Sequence, residues 1–262
     1  TAQPVHFREN LHHPVNTFTP RLRMFAGPNG SGKSTLKSCL PPALLGVYLN
    51  PDEMEQTIRR QTFLDFTAYG VMTTADAVLS FFKNSKFLND AGFGETVRQL
   101  AFANHRLEFG AVEANSYLAS AAGDFLRQKL MEQKISFTLE TVMSHPGKVE
   151  LLAQGQATGY RTYLYFVATD DPAINISRVK NRVKLGGHDV PEDRIETRYH
   201  RSLELLMEAI RRTNRAYIFD NSGDTQDKRH TWLAEITEGR KLELKSDRIP
   251  AWFKRAVLDK IT

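Results

Sequence analysis

Residues 27–35 read Gly27, Pro28, Asn29, Gly30, Ser31, Gly32, Lys33, Ser34, Thr35. The run fits G-x-x-x-x-G-K-[ST], a loop whose backbone wraps phosphate oxygens. Few short patterns constrain a fold more tightly. The loop needs a strand before it and a helix after it, and the flanks supply both. Residues 22–26 are a short apolar run, and residues 33–40 read as a helix start. Glycines let the chain curl so that successive N–H groups point inward at an anion. The helix N-terminus adds partial positive charge. Lys33 is placed to reach β- and γ-phosphates, and the Ser34 hydroxyl to ligate Mg²⁺. The expected ligand is a nucleoside triphosphate held by all nine residues of the loop.

Composition excludes several alternatives. The chain has 262 residues, 41% hydrophobic and 25% charged, as expected of a globular protein with a sizeable core. Its net charge of +5 suits a polyanionic small molecule. Basic residues are scattered without a Lys/Arg tail, so nucleic acid is not the expected partner. A single cysteine, Cys39, rules out an internal disulfide framework and a cysteine-rich metal site. On the helix after the loop it is expected to be a small buried residue. No apolar run approaches membrane-spanning length and no signal peptide is visible, so no membrane partner and a reducing cytoplasm are expected.

Apolar strand-like runs recur at residues 22–26, 47–49, 137–139, 162–168 and 216–219, with helical segments between them. Alternation of this kind predicts an α/β fold: a P-loop NTPase-type parallel sheet with helices on both faces. Residues 1–20, with Pro4, Pro14, Pro20 and the adjacent His12 and His13, read as an irregular arm. Residues 21–262 read as a single kinase-type domain. Within it, residues 54–130 show helical periodicity and no convincing strand, which predicts a helical insertion, with helices near 75–82 and 111–132. Residues 240–245 alternate like an edge strand, and Pro250 opens a short helix carrying Trp252 and Phe253.

Ligands in open α/β sheets bind outside the carboxyl ends of the strands. The second strand ends in Asn50, Pro51, Asp52, Glu53, which places Asp52 in the same crevice as Lys33. A carboxylate there can orient an attacking hydroxyl and take its proton, or it can cap a helix beginning at Glu53. The third strand ends in Glu140 and Thr141, where a carboxylate can hold a substrate hydroxyl or a water on Mg²⁺, or simply leave for solvent. After the fourth strand, Asp170 or Asp171 reads as a helix cap. Basic residues then dominate residues 172–213. Arg178 and Arg182 are neighbours on one helix, Gly186, Gly187 and His188 break it, and Pro191 starts a second with Arg194, Arg198 and Arg201 on one stripe. Two basic helices joined by a Gly-Gly hinge predict an Arg-rich lid that closes on phosphates, the alternative being a solvated face.

Taken together, these motifs resemble the zeta-toxin family of P-loop kinases. The resemblance rests on the loop, on Asn50-Pro51-Asp52-Glu53, on Phe137-Thr138-Leu139-Glu140-Thr141-Val142, on the lid run ending Gly186-Gly187-His188-Asp189-Val190-Pro191, and on Phe219-Asp220-Asn221-Ser222. It runs from about residue 22 to 222. It implies ATP or GTP as donor, Mg²⁺, and UDP-N-acetylglucosamine as acceptor, with some relatives phosphorylating a nicotinamide dinucleotide instead. It implies Asp52 as base, Glu140 as a substrate contact, and Arg182 and Arg198 as the arginines on the triphosphate. An antitoxin protein is the implied macromolecular partner. There are departures: Thr141 and Val142 follow Glu140 where Gly and Thr are usual, and the lid is shorter. The rival class is a nucleotide-dependent switch or NTPase acting through a protein partner, which would hydrolyse its nucleotide with no acceptor.

Overall fold

The computed structural model describes residues 19–187, 189–223 and 230–261. The arm expected over residues 1–20, including His12 and His13, lies outside the described residues up to position 18, as does His188 of the expected hinge.

The strands are β1 (Arg21–Ala26), β2 (Val47–Leu49), β3 (Phe63–Asp65), β4 (Ala101–Ala103), β5 (Arg106–Glu108), β6 (Phe137–Thr141), β7 (Arg161–Ala168), β8 (Arg215–Asp220), β9 (Thr231–Thr237) and β10 (Lys241–Leu244). Among the described residues, seven of them form one sheet in the order β10-β9-β8-β7-β1-β6-β2. The five from β8 to β2 run parallel, and β9 and β10 are added antiparallel at one edge. The helices are α1 (Lys33–Ser38), α2 (Pro42–Leu45), α3 (Pro51–Gln61), α4 (Ala75–Lys83), α5 (Lys86–Asp90), α6 (Ser116–Glu132), α7 (Pro146–Ala157), α8 (Pro172–Lys184), α9 (Glu192–Glu204), α10 (Leu206–Arg211) and α11 (Ala251–Phe253).

Central parallel strands are covered on both faces and must be apolar on both. In β1, Leu22, Met24 and Ala26 join the large core that includes α6, α7, α10 and α11, while Phe25 turns to the other face and packs with Leu36 of α1 and Val167. In β7 the same alternation sends Leu164 and Phe166 one way and Tyr165 and Val167 the other. Phe25, Tyr165 and Tyr217 stack across three adjacent strands, with ring centroids 4.7 and 4.9 Å apart. On the face of the main core, Asp220 ends β8 almost fully buried and accepts hydrogen bonds from Trp252 Nε1 at 2.9 Å and Ser222 Oγ at 2.6 Å. That pair anchors the C-terminal helix to the sheet.

The segment expected to be purely helical holds a second, antiparallel sheet in the order β3-β5-β4. Each strand has three residues, too few for alternation to show in the sequence. The β4–β5 hairpin turns on Asn104 and His105, both at positive φ, which a two-residue hairpin of this twist requires. The long helix begins at Ser116 and not at 111, because the Asn115 side chain caps it, accepting from the N–H groups of Tyr117 and Leu118 at 3.0 Å. Strand β9 was not visible in the sequence pattern. Cys39, expected to be buried, is exposed, because α1 is short and ends just before it. Asp171 is the cap of α8, accepting from Ala173 N at 2.7 Å. No helix of the described residues is long and apolar enough to cross a membrane.

One buried tyrosine ties two layers. The Tyr160 hydroxyl, 3% exposed, lies 2.8 Å from the Leu130 carbonyl and 2.9 Å from that of Ile135, joining the end of α6 to the approach to β6. Tyr160→Phe keeps the ring and removes the donor. It should cost about 1–3 kcal/mol in urea unfolding, the usual penalty for stripping buried acceptors. An unchanged midpoint would show that those carbonyls are satisfied some other way.

Candidate phosphate cleft

The loop sits at the carboxyl end of β1, between the ends of β7 and β8 and the start of α8. Three of its glycines have positive φ: Gly27 at 139°, Gly30 at 73° and Gly32 at 98°. Crowding reinforces the requirement. A Cβ on Gly27 would lie 2.0 Å from the Val167 carbonyl oxygen, and one on Gly30 would lie 2.6 Å from that of Asn175. Loop carbonyls are held from outside. Asn175 Nδ2 donates to Asn29 O at 2.5 Å, Asn221 Nδ2 to Ser31 O at 2.8 Å, and His230 Nε2 lies 3.0 Å from Gly32 O. Carbonyls drawn outward leave the concave side to N–H groups, which is how such a loop receives an anion.

Lys33 is 8% exposed, and its ammonium donates to Gly27 O at 2.9 Å and Pro28 O at 3.0 Å. Burial pushes its pKa below the ordinary lysine value, against the opposing pull of the Glu140 and Asp52 carboxylates, while Arg182 adds to the lowering. A cation so placed is stabilised by any anion that enters beside it.

Parallel pairing brings three strand ends to the loop. Glu140 stands opposite Phe25 of β1. Its carboxylate accepts from Tyr48 Oη at 2.6 Å, and the Ser34 hydroxyl lies 3.3 Å from both of its oxygens. Tyr48 in turn accepts from Asn50 Nδ2 at 3.3 Å. Burial, then the Glu140 charge, holds the Tyr48 phenol above its ordinary range, so it remains a donor. Asn50, and not Asp52, caps α3, its Oδ1 accepting from Asp52 N at 3.0 Å. The helix begins at Pro51, so the reading of Asp52 as a cap for a helix starting at Glu53 is corrected. The Asp52 side chain is exposed and lines the cleft.

That cleft, of about 260 Å³, gathers Asn29, Gly30, Lys33, Asp52, Glu140, Thr141, Arg182 and Arg198. The two arginines come from different helices, α8 and α9, joined through a turn in which Gly186 has φ +84°. These helices share a small apolar cluster of Val179, Val190 and Ile195, separate from the main core. Other expected residues stand outside. Thr35 is exposed on α1, its carbonyl accepting from Ser38 Oγ, and Arg178 points away, donating to Gly223 O at 3.0 Å. The sequence reading did not single out Tyr48, Asn50, Ser120, His145 or Lys148, although the first two support Glu140 and Asp52 and the last four line the cleft. Asn50 preceding a proline was the one available signal, a cap followed by Pro at the first helical position.

His230 gives the loop a pH-dependent support. Burial pushes its pKa below the ordinary 6.5; the bond to Gly32 opposes the shift and the Arg178 charge adds to it. The folded chain therefore favours the neutral ring, while the unfolded chain binds the proton more readily. The stability this provides is complete above 6.5 and is lost as pH falls below it. His230→Gln should narrow the gap between denaturation midpoints at about pH 7.5 and about pH 5.5. A gap as wide as the parent's would place the proton uptake elsewhere.

Known proteins share both fold and segment. The sequence model of the Zeta toxin family matches residues 110–230, which include β6, β7, β8 and both arginine helices. An uncharacterized protein of Haemophilus influenzae is 30% identical over 69 residues, covering 26% of this chain and 49% of that protein. The crystal structure of AvrRxo1-ORF1:AvrRxo1-ORF2 with sulphate ions and the complex with ATP each match with a TM-score of 0.53 and 14% identity, over 93% of this chain and 64% of theirs. The chain thus spans about half the length of the curated relative and under two thirds of these solved chains. At this identity the solved structures establish the α/β fold, a mostly parallel sheet with helices on it. Over residues 110–230, the chain is similar to the zeta-toxin family.

Proposed function

We propose that the chain is an ATP- or GTP-dependent kinase that transfers the γ-phosphate to a hydroxyl of a small molecule. The carrying observation is one cleft that holds a buried loop lysine, a carboxylate at the end of a neighbouring strand, and arginines from two separate helices. The loop and Lys33 would hold the β- and γ-phosphates. The acceptor hydroxyl would lose its proton to Asp52 as its oxygen bonds to the γ-phosphorus and the nucleoside diphosphate leaves. Arg182 and Arg198 would neutralise charge spread over the transferring group. Closure of α8 and α9 would exclude water, so that phosphate goes to the acceptor and not to solvent.

The donor set fits Mg²⁺. Ser34 and Glu140 supply hydroxyl and carboxylate oxygens side by side, the hard ligands that ion takes when it also binds phosphates and waters. Ser34 would hold it directly, with Glu140 beside it; the ion would offset phosphate charge. The family resemblance supports UDP-N-acetylglucosamine as acceptor, with a nicotinamide dinucleotide as the other form. AvrRxo1-ORF1 was solved with ATP and in complex with AvrRxo1-ORF2, which supports ATP as donor here and a protein partner; the family resemblance makes that partner an antitoxin.

Labelled ATP incubated with the protein and a metabolite extract should yield one labelled small molecule; label released only as inorganic phosphate would favour the NTPase switch. Lys33→Ala should abolish that transfer, because it removes the cation built into the cradle. Calorimetry with unchanged Mg-ATP and Mg-GTP affinity, together with unchanged turnover, would sink the assignment of the loop.

Asp52→Asn tests the base. Asn50 remains to cap α3, so the fold and nucleotide affinity should persist. Transfer should fall by about a hundredfold or more, the usual scale for a positioned general base. Wild-type transfer by the folded variant would remove Asp52 from the chemistry.

A further inference from the structure

A chain of buried hydrogen bonds connects the phosphate loop to both arginine helices. Asn175, in the second turn of α8, donates from Nδ2 to Asn29 O at 2.5 Å. Its Oδ1 accepts from the Thr169 hydroxyl, at the end of β7. The Thr169 carbonyl accepts from the Tyr199 hydroxyl of α9 at 2.6 Å. Thr169 and Asn175 are fully buried and Tyr199 is 3% exposed. Polarity fixes the order of the links. The Asn29 carbonyl can only accept, so the amide nitrogen must face it, and the amide oxygen must then meet the threonine donor. Burial, with Asp170 and Asp171 adding, pushes the Tyr199 phenol up to about 12, so it donates throughout the working range.

The placement of this chain gives it a consequence. Asn175 and Arg182 are seven positions apart on α8, about two turns, and so share a face. Tyr199 is the residue after Arg198. Asn29 and Gly30 line the cleft beside both arginines, and the Asn175 backbone crowds the site where Gly30 would carry a Cβ. Water cannot replace these partners without opening the core, so the links are costly to break and hold a defined geometry.

We infer that Thr169, Asn175 and Tyr199 are positioning residues that set where Arg182 and Arg198 stand relative to the phosphate loop. None of the three lines the cleft. They make filling of the loop and seating of the arginines one event. This inference rests on the kinase reading for its effect on turnover, but not for the coupling itself.

Tyr199→Phe and Thr169→Val each remove a donor with little change of shape, and Thr169→Ser keeps it. Urea unfolding first establishes that each variant is folded; if Thr169→Val is not, Tyr199→Phe carries the test. Tyr199→Phe should lower kcat by about tenfold to a hundredfold, the scale of a small misplacement near reacting atoms, with the KM for ATP nearly unchanged. Thr169→Val should do the same and Thr169→Ser should restore the rate. Tyr199→Phe combined with Arg198→Ala should be no slower than Arg198→Ala alone; losses that multiply would overturn the inference. A second readout needs no turnover. Mg-ATP should slow amide exchange in α8 and α9 of the parent, and that protection should fall in Tyr199→Phe. Equal protection in both, or none in the parent, overturns the coupling. A parent that binds Mg-ATP but neither transfers nor hydrolyses its phosphate would defeat the kinase reading, while the exchange result still decides the coupling.

Discussion

At Gly27 a single methyl group would sit 2.0 Å from the Val167 carbonyl. This contact of main chain against main chain is the constraint around which the molecule is arranged. It requires β1 to leave the sheet hard against β7, and the two strands are paired along their whole shared length. Behind the contact Phe25 stacks on Tyr165, filling the layer that a larger loop would disturb. In front of it, α8 closes on Gly30 through the Asn175 backbone. The loop is therefore a crossing point of buried chain segments, with its shape fixed by neighbours from β7, β8 and the start of β9. Because β2, β6, β1, β7 and β8 are parallel, their ends necessarily arrive at that same crossing. Asp52, Glu140 and the arginine helices inherit their meeting place from this.

Local signals were legible in the sequence, and distant partnerships were not. Five parallel strands announced themselves as apolar runs because burial on both faces leaves no room for polar alternation. The two arginine helices were readable from spacing and from the glycines between them, as was the edge strand β10. Strands β3, β4 and β5 were lost because three residues cannot display a period, and Asn104-His105 is an unusual pair for a tight hairpin. Strand β9 begins after a polar stretch and carries Trp232 half-exposed, so its burial pattern is ragged.

The cleft shows the same division. Lys33, Asp52, Glu140 and Thr141 were found from motif and strand-end logic, Arg182 and Arg198 from the family resemblance, and all six line it. Tyr48, Asn175, Asn221 and His230 were not, since each acts through a partner far away in the chain: Tyr48 on Glu140, and the other three on carbonyls of a loop near the N-terminal end. Asn and Tyr in buried positions look like ordinary polar residues until the fold supplies their partners. Cys39 failed for a complementary reason: helix α1 stops earlier than the apolar pattern suggests.

The cleft is also lined from separate stretches of the chain. On one side the lining is Asn29, Gly30 and Lys33 of the phosphate loop with Arg182 of α8 and Arg198 of α9, whereas Asp52, Ser120, His145 and Lys148 come from α3, α6 and the start of α7. The small antiparallel sheet and helices α4 and α5 are spliced between β2 and β6, entirely on the second side. The family match begins at residue 110, beyond most of that splice. On the proposed reading, drift within the spliced block would alter which hydroxyl is admitted while leaving the handling of the triphosphate untouched. Lineages built on this plan would then diversify in their targets faster than in their fuel.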